Sequence, residues 1–237
     1  MIWLITTCIA LLAAEVVPSD TFTTSGGDLE IFFIGHGTLM MNYNGTVIHI
    51  DPYGRVGDYD ALPEADLVLI THHHGDHLDP GALGKIRGPE TVLILTSLCA
   101  PRCEGGIVME NGGKREVLGI TIEAVPAYNI VHKRGNGEPF HVKGQGNGYV
   151  LTFGDTRVYV AGDTENIPEM KELSGIDIAF LPMNLPYTMT PQMVAQASRM
   201  FGPRILYPYH YGDTDPEELV KLLKEEGDPE IRIRPLR

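Results

Sequence analysis

Cysteine is scarce in this chain, with three in 237 residues: Cys8, Cys99 and Cys103. A zinc knuckle built from two cysteine pairs is therefore excluded. Cys99 and Cys103 have the spacing C-x3-C, which leaves either a local disulfide in an exported protein or two unlinked thiols. Basic residues are also few. Lys and Arg number 18 against 31 Asp and Glu, a formal net charge of −13. Nucleic acid and anionic membrane surfaces both require a basic face, so neither is expected as a partner. No apolar run reaches the roughly twenty residues that span a bilayer, so no transmembrane anchor is expected. Residues 1–14 are uncharged and apolar or small. They suit the apolar core of a secretory signal, with Ala13 and Ala14 before a cut near Glu15, although no basic residue precedes them. Export to the periplasm or medium is the expectation, with a cytoplasmic protein as the alternative. No solenoid repeat and no Ser-, Pro- or Gly-rich linker divides the rest. Residues 15–237 thus read as a single domain, and 43% hydrophobic content supplies an ordinary core.

What is present is strand-rich and punctuated by glycine. Residues 29–34, 39–43 and 46–50 read as consecutive strands. Asn44-Gly45 joins the last two as a two-residue hairpin, because both positions tolerate positive φ. Residues 67–71 and 92–96 are short apolar runs, as expected of strands covered on both faces. Further strands are expected at 120–125, 148–153, 157–161, 178–181 and 205–207, with Gly154-Asp155 closing a second hairpin. Helices are fewer. Thr190 is a good N-cap and Pro191 a good first residue for a helix that Gly202-Pro203 stops. Short helices are expected after Asp79-Pro80 and Asp215-Pro216, and another at 168–173. The alternation describes an α/β domain.

The densest chemistry is Thr71-His72-His73-His74-Gly75-Asp76-His77, between a buried strand and a helix. Strand ends are where α/β proteins place binding sites. Residues two apart in such a loop can point to one side. The turn can offer His72 and His74 to one cation, and Asp76 and His77 to a second. Imidazole suits zinc and its first-row neighbours, and a carboxylate helps hold two dications together. A merely solvated histidine loop is the alternative, and the Asp inside the cluster argues against it. Downstream, Asp163 sits in a strand-end turn where a carboxylate can bridge two metals. His210 ends another strand. His49 alternates within an apolar strand and reads as structural. His73 reads as pointing away from the metals, and Met183, Met189 and Met193 as core packing.

Taken together, residues 71–77, Gly162-Asp163-Thr164 and Pro208-Tyr209-His210-Tyr211-Gly212 resemble the successive metal-binding motifs of the metallo-β-lactamase superfamily. Gly35-His36-Gly37, Ile50-Asp51-Pro52, Asp76-His77-Leu78-Asp79, Asn147-Gly148-Tyr149 and Ala161-Gly162-Asp163-Thr164 are similar to its ascorbate-phosphate lactonase-like branch. More distantly they resemble the phospholipase D that acts on N-acyl-phosphatidylethanolamine. The resemblance covers about residues 29–212. It implies a four-layer αβ/βα sandwich with the site on one edge between two sheets. It implies that His72 and His74 serve the first metal site, that Asp76, His77 and His210 serve the second, and that Asp163 bridges them. A third histidine for the first site is missing from the usual strand end, where Asn129 stands. His141 is the expected substitute and His132 the runner-up.

The implied cofactors are two divalent ions, zinc first and manganese or iron(II) as alternatives. The implied activity is hydrolysis of an ester, lactone, amide or phosphodiester by a hydroxide held between the metals. Asp76 and Asp163 are the catalytic candidates. Asp51 is either an orienting group behind a ligand or a turn residue. His36, Tyr187 and Lys143 are candidates for protonating the leaving group. The substrate is expected to be a small or lipid-like molecule. An iron-dependent oxidoreductase and a non-catalytic metal-binding protein are the competing readings.

Overall fold

The computed structural model describes residues 17–237, so the expected signal segment lies outside the described residues. Two seven-stranded sheets are each laid down in strict chain order. The first contains β1 (Ser19–Thr24), β2 (Gly27–Gly35), β3 (Thr38–Tyr43), β4 (Thr46–Ile50), β5 (Ala65–Leu69), β6 (Arg87–Leu95) and β7 (Ile107–Val108). The second contains β8 (Lys114–Val117), β9 (Ile120–Ala127), β10 (Gly146–Phe153), β11 (Thr156–Val160), β12 (Ile178–Pro182), β13 (Ile205–Tyr209) and β14 (Glu230–Ile231). In each, four antiparallel strands lead into three parallel pairings. The two halves therefore repeat one topology.

Sequence pattern explains the layering. In β2, Leu29, Ile31, Phe33 and Gly35 are buried while the residues between them are not. That period-two pattern turns one face to the core. β12 and β13 are buried at every position, as central parallel strands covered on both faces must be. Phe33 meets Phe180 and Tyr207 across the gap, with ring centres 6.5 and 5.3 Å away. This is the main core, between the sheets. A second core lies outside the first sheet, where α1 (Pro80–Ile86) packs Ala82, Leu83 and Ile86 against Val68, Leu93 and Leu95. On the outer face of the second sheet, Phe201 of α2 (Pro191–Phe201) meets Tyr159 edge-on. A short α3 (Glu217–Leu222) lies beside it. The result is the expected αβ/βα sandwich.

The punctuation falls where local chemistry puts it. Asn44 (φ 52°) and Gly45 (φ 86°) form the hairpin between β3 and β4. The Thr190 hydroxyl accepts from Met193 N at 3.1 Å, a cap of a kind contributing about 1 kcal/mol. Gly202, at φ 57°, ends α2 in a left-handed turn. Residues 168–172 form a short 3-10 helix. Cys99 and Cys103 are buried, unlinked thiols under the first sheet. Met183 and Met189 are core residues, as expected.

Candidate metal centre

The loops that follow β4, β5, β11, β12 and β13 leave from the same end of the sandwich. This is the carboxyl end of the parallel strands, where α/β sheets gather polar side chains. Two clusters form there, each with ligand atoms mutually within 4.8 Å: His72, His74, His141 and Asp163 in one, and His36, Asp76, His77 and His210 in the other. Side chains up to 174 positions apart in number thus meet at one place, from His36 to His210.

The first cluster is compact. His72 Nε2 lies 3.1 Å from His74 Nδ1, which lies 3.2 Å from His141 Nε2. Nitrogens about 2.0–2.1 Å from one tetrahedral cation sit roughly 3.3 Å apart, so the spacing fits a zinc-like ion. Asp163 Oδ2 lies 3.2 Å from His141 Nε2 and 3.8 Å from His72 Nε2. Burial, then the positive charge of His77, holds the His72 imidazole well below its ordinary pKa. Burial, then His141, brings His74 down to about 4. These nitrogens carry free lone pairs at neutral pH, as a metal requires.

The second cluster is wider and charged. Asp76 Oδ2 is 3.5 Å from His210 Nε2, 3.9 Å from His77 Nε2 and 3.1 Å from His36 Nε2. Asp163 Oδ1 is 3.5 Å from His77 Nε2 and 3.7 Å from His210 Nε2. Burial opposes a charge on His77, but Asp163 and Asp51 outweigh it and push its pKa up to about 10. Burial likewise opposes ionisation of Asp76 and Asp163. The neighbouring imidazoles of His210 and His36 hold Asp76 well below the carboxylate range, and the charges of His210, His77 and His141 do so for Asp163. His77 Nε2, His210 Nε2 and Asp163 Oδ1 are buried with no hydrogen-bond partner. Buried polar atoms are ordinarily satisfied. Three orphans that converge are the donor set a cation would complete.

Behind the nitrogens stands a set of orienting groups. Asp51 Oδ2 accepts from the Thr71 hydroxyl (2.6 Å) and lies 2.8 Å from His77 Nδ1, turning Nε2 toward the site. Asp51 is thus more than the turn residue that Pro52 suggested. Asn129, at the usual strand-end position, lies outside both clusters. Its Oδ1 accepts from His141 N at 2.9 Å and faces His141 Nδ1 at 2.6 Å. An amide oxygen can only accept, so Nδ1 carries the hydrogen and Nε2 is left free. Asn129 is fixed in turn by Glu165, which is fully buried. Glu165 accepts from Asn129 Nδ2 (3.1 Å) and from the backbone N–H groups of Ile130, Val131 and His132, each at 2.7 Å. Burial raises its pKa, but those N–H donors bring it below the ordinary value. Gly37 lets the turn between β2 and β3 lie over the imidazoles. A Cβ there would stand 2.9 Å from His77 Cε1 and 3.1 Å from His210 Cδ2.

The structure therefore brings all seven expected ligands together: His72, His74, Asp76, His77, His141, Asp163 and His210. His132 instead turns to Glu165, with Nδ1 2.8 Å from Oε1. Of the three acid candidates, His36 joins the second cluster and Tyr187 lines the cavity above it. Lys143 does not reach the site. It is bound to Glu169 at 2.6 Å and lies over the Tyr128 ring. His49 is buried beside Pro63 O, as a structural histidine. Sequence reasoning missed Glu165 and the orienting role of Asn129. Only the spacing of Glu165 two residues after Asp163 gave any signal.

Fold and site together define a metallo-β-lactamase-type domain. The family model described as the beta-lactamase superfamily domain matches residues 30–210, and the chain belongs to that superfamily. A UPF0173 metal-dependent hydrolase of Pyrococcus abyssi is 31% identical over 217 residues, covering 84% of this chain and 94% of the relative. Its counterpart in Methanopyrus kandleri is 32% identical over 222 residues, covering 86% and 96%. Among solved structures, a protein described as a metal-dependent hydrolase from Parabacteroides distasonis is 48% identical with a TM-score of 0.89. It covers 94% of this chain and 100% of its own.

Proposed function

We propose that the protein is a metal-dependent hydrolase in which His72, His74, His141 and Asp163 hold one divalent cation and Asp76, His77, His210 and Asp163 hold a second. The observation that carries this reading is Asp163, whose two carboxylate oxygens face different clusters. The names of the relatives support it. Imidazole with carboxylate suits zinc, with manganese or iron(II) next. Bound cations of this kind lower the pKa of water to about 7 and polarise a carbonyl or phosphoryl oxygen, which serves cleavage of an ester, lactone, amide or phosphodiester.

The chain's own side chains do the rest. Asp51 and Asn129 fix the imidazoles by their Nδ1 atoms. Asp76 and Asp163 offset the positive charge. Phe140 and Tyr187 meet edge-on at 5.0 Å and wall the cavity above the clusters. With Lys143 engaged elsewhere and His36 held at Asp76, the Tyr187 hydroxyl is the group we assign to leaving-group protonation.

The test is metal analysis joined to turnover. The purified, zinc-loaded protein is expected to retain two ions per chain and to hydrolyse at least one member of a panel of lactones, phosphodiesters, carboxylic esters and β-lactams. Chelation should stop turnover, and zinc or manganese should restore it. Iron with a visible absorbance band and no hydrolysis anywhere in the panel would favour the oxidoreductase reading instead.

A further inference from the structure

The cavity over the clusters has walls that metal binding does not use. It measures about 420 Å³ and lies between the loop at 128–145 and the segment at 183–190. The two segments touch where Asn129 Nδ2 donates to Tyr187 O at 2.8 Å. Arg134 is the one guanidinium or ammonium group on the cavity wall. It donates to Phe140 O at 3.1 Å and lies 5.2 Å from the centre of the Phe140 ring. Among the described residues no carboxylate pairs with it. In a chain of net charge −13, an unpaired guanidinium at the mouth of a carboxylate-rich site is a specific feature.

The two segments that flank the cavity carry exposed apolar side chains. Of the eight large apolar side chains that are exposed among the described residues, five belong to these two short segments: Ile130, Val131, Val142, Leu185 and Tyr187. Val131 is 66% exposed. Scattered single apolar residues are ordinary, whereas a group of them on the two segments that wall a polar cleft, with Phe140 and Tyr187 on the wall itself, marks a surface meant to be covered. Guanidinium is weakly hydrated and matches an oxyanion with two parallel N–H donors.

We propose that the substrate is an amphiphilic anion. Its apolar chain or ring lies on Ile130, Val131, Leu185 and Tyr187, its carboxylate or phosphate-type group is held by Arg134, and its scissile bond lies over the clusters. The last clause rests on the hydrolase reading; the binding preference does not.

Three probes separate the parts: hexylphosphonate, methylphosphonate, and the neutral diethyl ester of hexylphosphonate. Each is titrated by calorimetry into zinc-loaded and chelator-treated protein. Hexylphosphonate is expected to bind at least about tenfold more tightly than methylphosphonate, because only its chain can cover the rim. Metal contact by the phosphonate head is common to both and cancels. Arg134→Ala should weaken hexylphosphonate by about tenfold, the scale of a charged hydrogen bond, with less than a twofold change for the neutral ester. Arg134→Lys should recover part of the loss. The surface double variant Val131→Ser/Leu185→Ser should weaken both hexyl probes and spare methylphosphonate.

Equal binding of hexyl- and methylphosphonate would overturn the proposal. So would equal losses for charged and neutral probes in Arg134→Ala, which would mean only that the loop had loosened. Sedimentation with phosphatidylglycerol vesicles without binding of monomeric hexylphosphonate would make the rim a membrane-docking face and also overturn it. These preferences without hydrolysis would sink the catalytic reading alone. Hydrolysis without the preferences would sink this proposal alone.

Discussion

The two histidine clusters share Asp163 and differ in how they manage charge. In the first, the nitrogens of His72, His74 and His141 are packed at 3.1–3.2 Å and burial keeps His72 and His74 neutral. In the second, separations are 3.5–3.9 Å among Asp76, His77, His210 and Asp163, and carboxylates keep His77 protonated. Buried carboxylates need a counter-charge. A proton on His77 supplies it where a dication would otherwise sit. A buried site can thus be readied for a cation in two ways, by emptying its nitrogens of protons or by gathering negative charge that a proton holds provisionally.

The comparison breaks most completely at the shared residue. Asp163→Ala is expected to lose both cations and to bring activity below detection, with an unchanged circular dichroism spectrum. His74→Ala should empty the first cluster and leave the second ion measurable by metal analysis. Loss of both ions in His74→Ala would show that the clusters are one cooperative unit.

A smaller effect comes from the orienting groups. Asn129→Ala should weaken metal binding at the first cluster by about 10–100-fold, and Asp51→Asn should do the same at the second. Competition with a chromophoric chelator measures each. If either substitution weakens both clusters equally, the orienting roles assigned here are wrong.

Taken per pH unit, the smallest effect is in protons. His77 titrates at about 10, so at pH 7 it is charged and must give up its proton when its nitrogen takes a cation. Affinity at the second cluster should therefore rise about tenfold per pH unit from pH 7 toward 10. His74 titrates at about 4, so its nitrogen is already free at pH 7 and the first cluster should show no such slope. Calorimetry in buffers of different ionisation heat counts the protons. About one is expected per chain, and His77→Gln should abolish it.

Much of this was legible in the sequence. The alternation in β2, the Asn44-Gly45 turn and the caps of α2 are decided by neighbours within a few residues. The 72–77 loop packs four of the expected ligands into six positions. Other parts depend on contacts that no local pattern encodes. β1 and β8 went unread because Ser19–Thr24 and Lys114–Val117 are polar and half exposed, and become strands only by pairing with β2 and β9. The orienting role of Asn129 has no local signature, since its partner His141 lies twelve positions away on a loop. Arg134 reaches the cavity wall only through the tertiary path of its loop, which no local pattern encodes.

Asp163 is proposed to join two metal positions. Anomalous diffraction at the zinc edge from zinc-loaded crystals tests it directly. Two peaks are expected, one among His72, His74 and His141 and one among Asp76, His77 and His210, with the Asp163 carboxylate between them. A single peak, or one that Asp163 does not touch, would contradict it.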